Sequence, residues 1–174
     1  MPVFYSFLFT SFVMEKRFRI ILDTNIYGLF FEKDESILKK AEETTKVTIY
    51  GFDVVRKELR DTSKKLKYGN RNFRGLLLGA YDRVVKKDYY LSPVIENIAE
   101  QYWREYGGGI SKRKMWNDFL IVACSSIHDL DIIVSEDNDS MISRPAVKAY
   151  TAVNARNQLR EPAFFSIEKF WKLL

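Results

Sequence analysis

Four acids sit where a carboxylate needs a reason. Asp23, in "RIILDTNIYGLF" (residues 19–30), follows one apolar run and precedes another. An Asp at such a junction either caps a helix, by accepting from its free first-turn N–H groups, or serves as a ligand held at a rigid strand end. Asp118 is the more unusual case, because "KMWNDFLIVACSSI" is almost wholly apolar from Met115 to Ile127 apart from Asn117, Asp118 and two serines. An ionised carboxylate in such surroundings has to be paired, protonated or bound to a metal. Its candidate ion-pair partners are Arg113 and Lys114, one turn earlier. Glu58 shares a helical face with Val54, Val55 and Leu59; it is either solvated, paired with Lys57 or Arg60, or turned into the same site. The fourth group is "IIVSEDND", which offers Glu136, Asp137 and Asp139 at the end of an apolar run. Several carboxylates together suit a hard divalent cation, Mg²⁺ or Mn²⁺. Such an ion lowers the pKa of a bound water and orients it for in-line attack on a phosphodiester. No histidine is required.

These acids need elements to position them. Residues 17–22 alternate and then turn wholly apolar, as a buried parallel strand does, and Asp23 sits at its carboxyl end. "DESILKKAEETTK" has apolar positions at helical spacing, and "VTIY" (47–50) reads as the next strand. Asp53 is expected to cap the helix that carries Glu58. A longer helix is expected over residues 70–87, and Ser92 with Pro93 opens another that ends at Gly107. The Asp118 segment reads as a helix buried against a sheet, and "DIIV" as a strand. A helix over 140–156, a strand at "AFFS" and a helix at "IEKFWKLL" complete the order. Alternation of this kind predicts one α/β domain with a mostly parallel central sheet flanked by helices. Ligands of such sheets bind at the carboxyl ends of the strands, where Asp23 and Asp137 both lie.

Composition narrows the chemistry. With 47% hydrophobic and 29% charged residues over 174 positions, the chain is expected to fold as a single domain without disulfides or structural metal. Cys124 and His128 are the only cysteine and histidine, which excludes a zinc site built from several such ligands and acid/base chemistry with two imidazoles. No internal disulfide can form, so a reducing cytoplasm is the expected location. His128, Asp129 and the serines at 125 and 126 do not make a hydrolase triad, because neighbouring residues point in different directions and there is no Gly-x-Ser-x-Gly elbow. The glycines form neither GxxxxGK[ST] nor GxGxxG. Residues 1–13, "MPVFYSFLFTSFV", hold five aromatics and no charge. They are too short for a bilayer span of ~20 residues and lack a basic n-region, so no membrane anchor is expected. They read as residues ahead of a true start at Met14, with the domain occupying 14–174; the alternative is an extra strand or a partner-binding arm.

Taken jointly, Asp23 in "LDTN", Glu58 in "VVRKEL", Asp118 in "NDFLIVA" and Asp137 in "IIVSEDND" resemble the PIN-domain ribonuclease pattern, in order, context and interval, from about Met14 onward. The resemblance implies that these four acids meet at one end of the sheet and hold Mg²⁺ or Mn²⁺. It also implies that Thr24, the hydroxyl residue after the first acid, supports the site. Asp137 matches the family position best; Asp139 either caps the following helix or supports the metal, and Glu136 is expected to be exposed. Compact prokaryotic PIN nucleases are often VapC-type toxins restrained by a small antitoxin, and similar proteins commonly dimerise. The resemblance therefore implies a metal-dependent endoribonuclease, as a toxin or as an RNA-processing enzyme.

Two rivals stand beside that reading. A haloacid-dehalogenase-like phosphatase would also place an Asp after the first strand, but it requires a second Asp two positions later, where this chain has Asn25. A non-catalytic RNA- or protein-binding module could keep the fold, although all four acids are present. The formal charge of +5, from 28 basic and 23 acidic residues, is a moderate pull toward polyanions. Arg56, Arg60, Arg113 and Lys114 lie nearest the acids in sequence and are the expected phosphate contacts. Lys57, Lys65 and Lys67 are expected to be merely solvated.

Overall fold

A computed structural model describes residues 17–174; the expectations for residues 1–13 and for a start at Met14 lie outside the described residues. The first strand, β1 (Phe18–Leu22), is buried from Ile20 onward, as a central parallel strand must be. Two helices, α1 (Thr24–Glu32) and α2 (Glu35–Glu43), lead to β2 (Val47–Phe52), so the first crossover holds one helix more than the single one read from the sequence. Next come α3 (Asp53–Asp61), a small hairpin of β3 (Lys67–Tyr68) and β4 (Arg71–Asn72), α4 (Phe73–Val84) and β5 (Val85–Tyr89). The remaining elements are α5 (Pro93–Glu105), α6 (Lys112–Ile127), β6 (Ile132–Val134), α7 (Arg144–Arg156), β7 (Ala163–Phe165) and α8 (Ile167–Leu173).

The five main strands pair in parallel in the order β5-β2-β1-β6-β7. Ile20 of β1 lies opposite Ile49 on one side and Ile132 on the other. The chain steps outward from β1 through β2 to β5, then returns to β6 and steps the other way to β7. Right-handed crossovers taken in opposite directions put their helices on opposite faces. Accordingly α1 to α4 pack among themselves, α5 packs on α6 and α7, and α3 meets α6. The point where strand order reverses lies between β1 and β6, and the crevice outside it is where an open sheet of this kind takes its ligand.

Three local expectations fail. The helix expected over 70–87 is a hairpin, a shorter helix and an edge strand. Asn72 caps α4 by accepting from the Gly75 N–H, and β5 exists because its backbone pairs with β2, a long-range partner that no local pattern announces. The helix expected over 140–156 starts at Arg144, leaving Ser140 in a turn. Asp53 does not cap α3: Phe52 occupies the cap position without a side-chain bond, and Asp53 Oδ1 instead accepts from the Leu91 N–H at 3.0 Å.

Gly51 in β2 is required by its neighbours. A Cβ there would stand 2.1 Å from Tyr81 Oη and 2.2 Å from Asp88 Oδ1, which are hydrogen-bonded to each other across the strand. The serines of α6 are structural. Ser125 Oγ donates to the Ile121 carbonyl, and Ser126 joins Tyr102 and Asn154 in a buried network. His128 caps the far end of α6 and stacks on Tyr89 with ring centroids 3.8 Å apart. Burial, with Arg19 and Lys87 nearby, holds its pKa below the usual imidazole value. Ten residues of helix, about 15 Å, separate it from Asp118. Cys124 is fully buried, and burial pushes its thiol up to about 12, so it is no nucleophile. No helix among the described residues is long and apolar enough to cross a membrane.

Candidate active site

Asp23 fulfils the capping reading of its position. It is the N-cap of α1, its Oδ1 accepting from the Thr24 N–H at 2.7 Å. Its Oδ2 faces across the sheet and accepts from Ser135 Oγ at 2.7 Å and Asn25 Nδ2 at 2.8 Å. Its own N–H donates to the Val134 carbonyl, so the ends of β1 and β6 are locked together where Asp23 leaves the sheet. Only 6% of the residue is exposed. Burial, aided by the charges of Glu58 and Asp137, raises its pKa to about 6 against the hydrogen bonds from Ser135 and Thr24.

Asp118 enters from α6 on the other side. Burial raises its pKa to about 7, with repulsion from Asp23, Asp137 and Glu58 added. The alternative of an ion pair with Arg113 or Lys114 is not realised: both cations are exposed, and none of the four acids joins an ion pair among the described residues. Ser140 Oγ lies 2.6 Å from Asp118 Oδ2 and is also hydrogen-bonded to Asp137 Oδ2. The Ser140 hydroxyl thus bridges the two carboxyl groups. Asp137 is fixed further by the Ser140 N–H on Oδ1 and by its own N–H donating to Ser135 Oγ.

Glu58 is half-buried and is not paired with Lys57 or Arg60. Its Oε2 accepts from Thr24 Oγ1 at 2.5 Å and its Oε1 from Asn117 Nδ2 at 2.7 Å, which explains why α3 and α6 meet. Thr24 thus supports the cluster through Glu58. Asp139 is exposed and neither caps α7 nor joins these bonds. Glu136 is half-buried rather than exposed; its Oε1 accepts from the Ile167 N–H at the start of α8.

Asn25, Asn117, Ser135 and Ser140 were missed as working parts. The signal for Asn117 was a second polar residue in the same apolar run as Asp118; Ser135 and Asn25 lay inside the motifs already singled out. Nothing in the sequence marked Ser140, because the turn that aims it was read as helix.

Among the described residues no three Asp, Glu, His or Cys side chains stand gathered as a ready-made metal cage; the Ser140 hydroxyl joins the carboxylates of Asp118 and Asp137, and that of Ser135 joins the Asp23 carboxylate to the Asp137 backbone. The donors are nonetheless all hard oxygens, and burial with the neighbouring carboxylates raises the pKa values of Asp23 and Asp118, so the chemistry of the site fits a divalent cation. Of the expected phosphate contacts, Arg56 is tied to Asp82 at 3.0 Å and lies over the Tyr81 ring, whereas Arg60, Arg113 and Lys114 are exposed.

The five-stranded parallel sheet flanked by helices is a PIN-like fold. In three dimensions the chain is similar to one in the crystal structure of VapBC2 from Rickettsia felis bound to a DNA fragment from their promoter. The TM-score is 0.54 and the identity 16%, over 85% of this chain and 98% of that one. At that identity the likeness is one of fold. No family model matches the sequence, and no curated protein matches it.

Proposed function

We propose that the protein is a metal-dependent endoribonuclease that hydrolyses RNA phosphodiester bonds. One observation carries the reading: Asp23, Glu58, Asp118 and Asp137, distant in sequence, are linked through shared or neighbouring polar side chains at the switch point, with no ion-pair partner among the described residues. These four residues would hold Mg²⁺ or Mn²⁺, which when bound neutralises phosphate charge and makes water a better nucleophile. The chain's own contribution is to hold the acids still. Thr24 and Asn117 fix Glu58; Ser135 and the Thr24 N–H fix Asp23; Ser140 spans Asp118 and Asp137. Without metal, burial and the neighbouring acids raise the Asp118 pKa to about 7, a penalty on the charged form that a bound cation would relieve. Arg113 and Lys114, exposed in the first turn of α6, and Arg60, exposed on α3, would meet the phosphates of the strand.

The likeness of fold to a chain of a VapBC2 structure supports the role of a toxin restrained by a small antitoxin protein; we extend this to a homodimer and to a cytoplasmic location. A phosphatase built on an aspartyl nucleophile is disfavoured, since Asn25 donates its amide to Asp23 and has no proton to exchange as an acid. The test is cleavage of end-labelled RNA with Mg²⁺, Mn²⁺ or EDTA. Asp118→Asn should lose activity by orders of magnitude while staying folded, and His128→Gln should keep it. Undiminished cleavage by Asp118→Asn, or by the wild type in EDTA, would sink the proposal.

A further inference from the structure

Beside the acid cluster a cleft of about 450 Å³ opens between α3 and α6, within the range of small-ligand sites (~300–1,000 Å³). It shares Glu58 and Asn117 with the cluster, and these two are hydrogen-bonded to each other. Its walls are unlike those of the acid site. Trp116 lines it, together with the aliphatic side chains of Val54, Leu91 and Leu120. The ring of Trp116 carries the Lys112 ammonium at 4.9 Å, and Lys112 is in turn paired with Glu100, so the indole is held in place. Leu91, 39% exposed, is fixed by the bond from its N–H to Asp53, and the neighbouring Tyr90 is 70% exposed. Lys57, Asp61 and Asn117 put donors and acceptors on the rim.

We infer that this cleft is a nucleobase subsite, in which a base next to the scissile phosphate of single-stranded RNA stacks on Trp116 with its polar edge toward Lys57, Asp61 and Asn117. The inference rests on the nuclease reading and adds to it how the strand is held. A flat heteroaromatic ring is the occupant that matches a lining of one aromatic residue, aliphatic side chains and polar groups together. The shared Glu58 puts that ring within one nucleotide of the acids. A paired base is already stacked in its duplex, so the subsite selects unpaired RNA.

Binding is measured by fluorescence anisotropy on the full chain carrying Asp118→Asn, which separates it from cleavage. The probes are a labelled single-stranded oligoribonucleotide and an abasic oligomer with the same ribose-phosphate backbone. Adding Trp116→Ala should weaken binding of the base-bearing oligomer roughly tenfold and leave that of the abasic one within about twofold. Trp116→Phe should restore most of the loss, and Leu91→Ala, at an exposed position that leaves folding intact, should weaken the base-bearing oligomer alone. The inference is overturned if Trp116→Ala leaves that oligomer's affinity unchanged, as it would if the cleft takes an apolar side chain of a partner protein. Equal loss for both oligomers, or no binding of either before Trp116 is changed, overturns it too. Absence of metal-dependent cleavage by the wild type, with base-dependent binding intact, would instead remove the nuclease reading alone.

Discussion

Replacing Asp118 with Asn should make the metal-free protein more stable, which is the reverse of what removing a buried structural ion pair would do. Burial, joined by repulsion from Asp23, Asp137 and Glu58, raises the Asp118 pKa from 3.8 to about 7. Each unit is worth about 1.4 kcal/mol of differential interaction, so ionising this group in the folded protein costs on the order of 4 kcal/mol at pH 7. Asn removes that cost, and it weakens the contact with Ser140 Oγ, whose loss takes back about 1–2 kcal/mol. A net gain of about 2 kcal/mol remains, which for a chain of this size raises Tm by roughly 4–8 °C. Between the unfolded and folded pKa values the folded state binds more protons than the unfolded state, so stability falls as pH rises. Metal-free wild type should therefore lose stability from about pH 4 to pH 7 and level off above, with Asp23, raised to about 6, contributing to the same slope. In Asp118→Asn the slope should be shallower and confined to the lower part of that window. Thermal unfolding in EDTA, read by circular dichroism from pH 5 to 8, measures both effects. A wild-type Tm that does not change over this range, together with a variant that melts lower, would refute the idea that Asp118 is held against repulsion.

Divalent metal should relieve the same repulsion: Mg²⁺ or Mn²⁺ at a hundredfold excess over its dissociation constant should stabilise the wild type by about 2.7 kcal/mol. Asp137→Asn should shrink that gain in the same melting experiment. RNA binding should weaken steeply with salt, because cations that meet phosphates release counterions; Arg113→Glu with Lys114→Glu should lower affinity and flatten the salt slope, read by titration at several NaCl concentrations. Gly51→Ala should destabilise the fold by about 1–3 kcal/mol in urea unfolding, since its Cβ would meet Tyr81 Oη and Asp88 Oδ1. A wild-type midpoint for that variant would mean the Tyr81–Asp88 pair moves aside freely.

The sequence by itself determined the alternation of apolar strands and amphipathic helices, and so the parallel sheet. It also marks Asp118, because a carboxylate inside the apolar run of α6 is disfavoured by burial; Asp23, Glu58 and Asp137 join it only through the resemblance to the PIN pattern. Its cap signals placed α5, where Ser92 accepts from the Ile95 N–H, since that bond spans three residues. Long-range contact decided the rest. Whether Asp118 met a cation or other acids depended on which segments share the crevice between β1 and β6. The edge strand β5 needed β2 to satisfy its backbone; alone, its "VKKDY" reads as polar helix. Asp53 and Glu136 bond to N–H groups 38 and 31 residues away, and Ser140 reaches Asp118 across 22. A short polar side chain can serve its own turn or a distant one at similar energy, and only the packed chain brings the distant donor within reach.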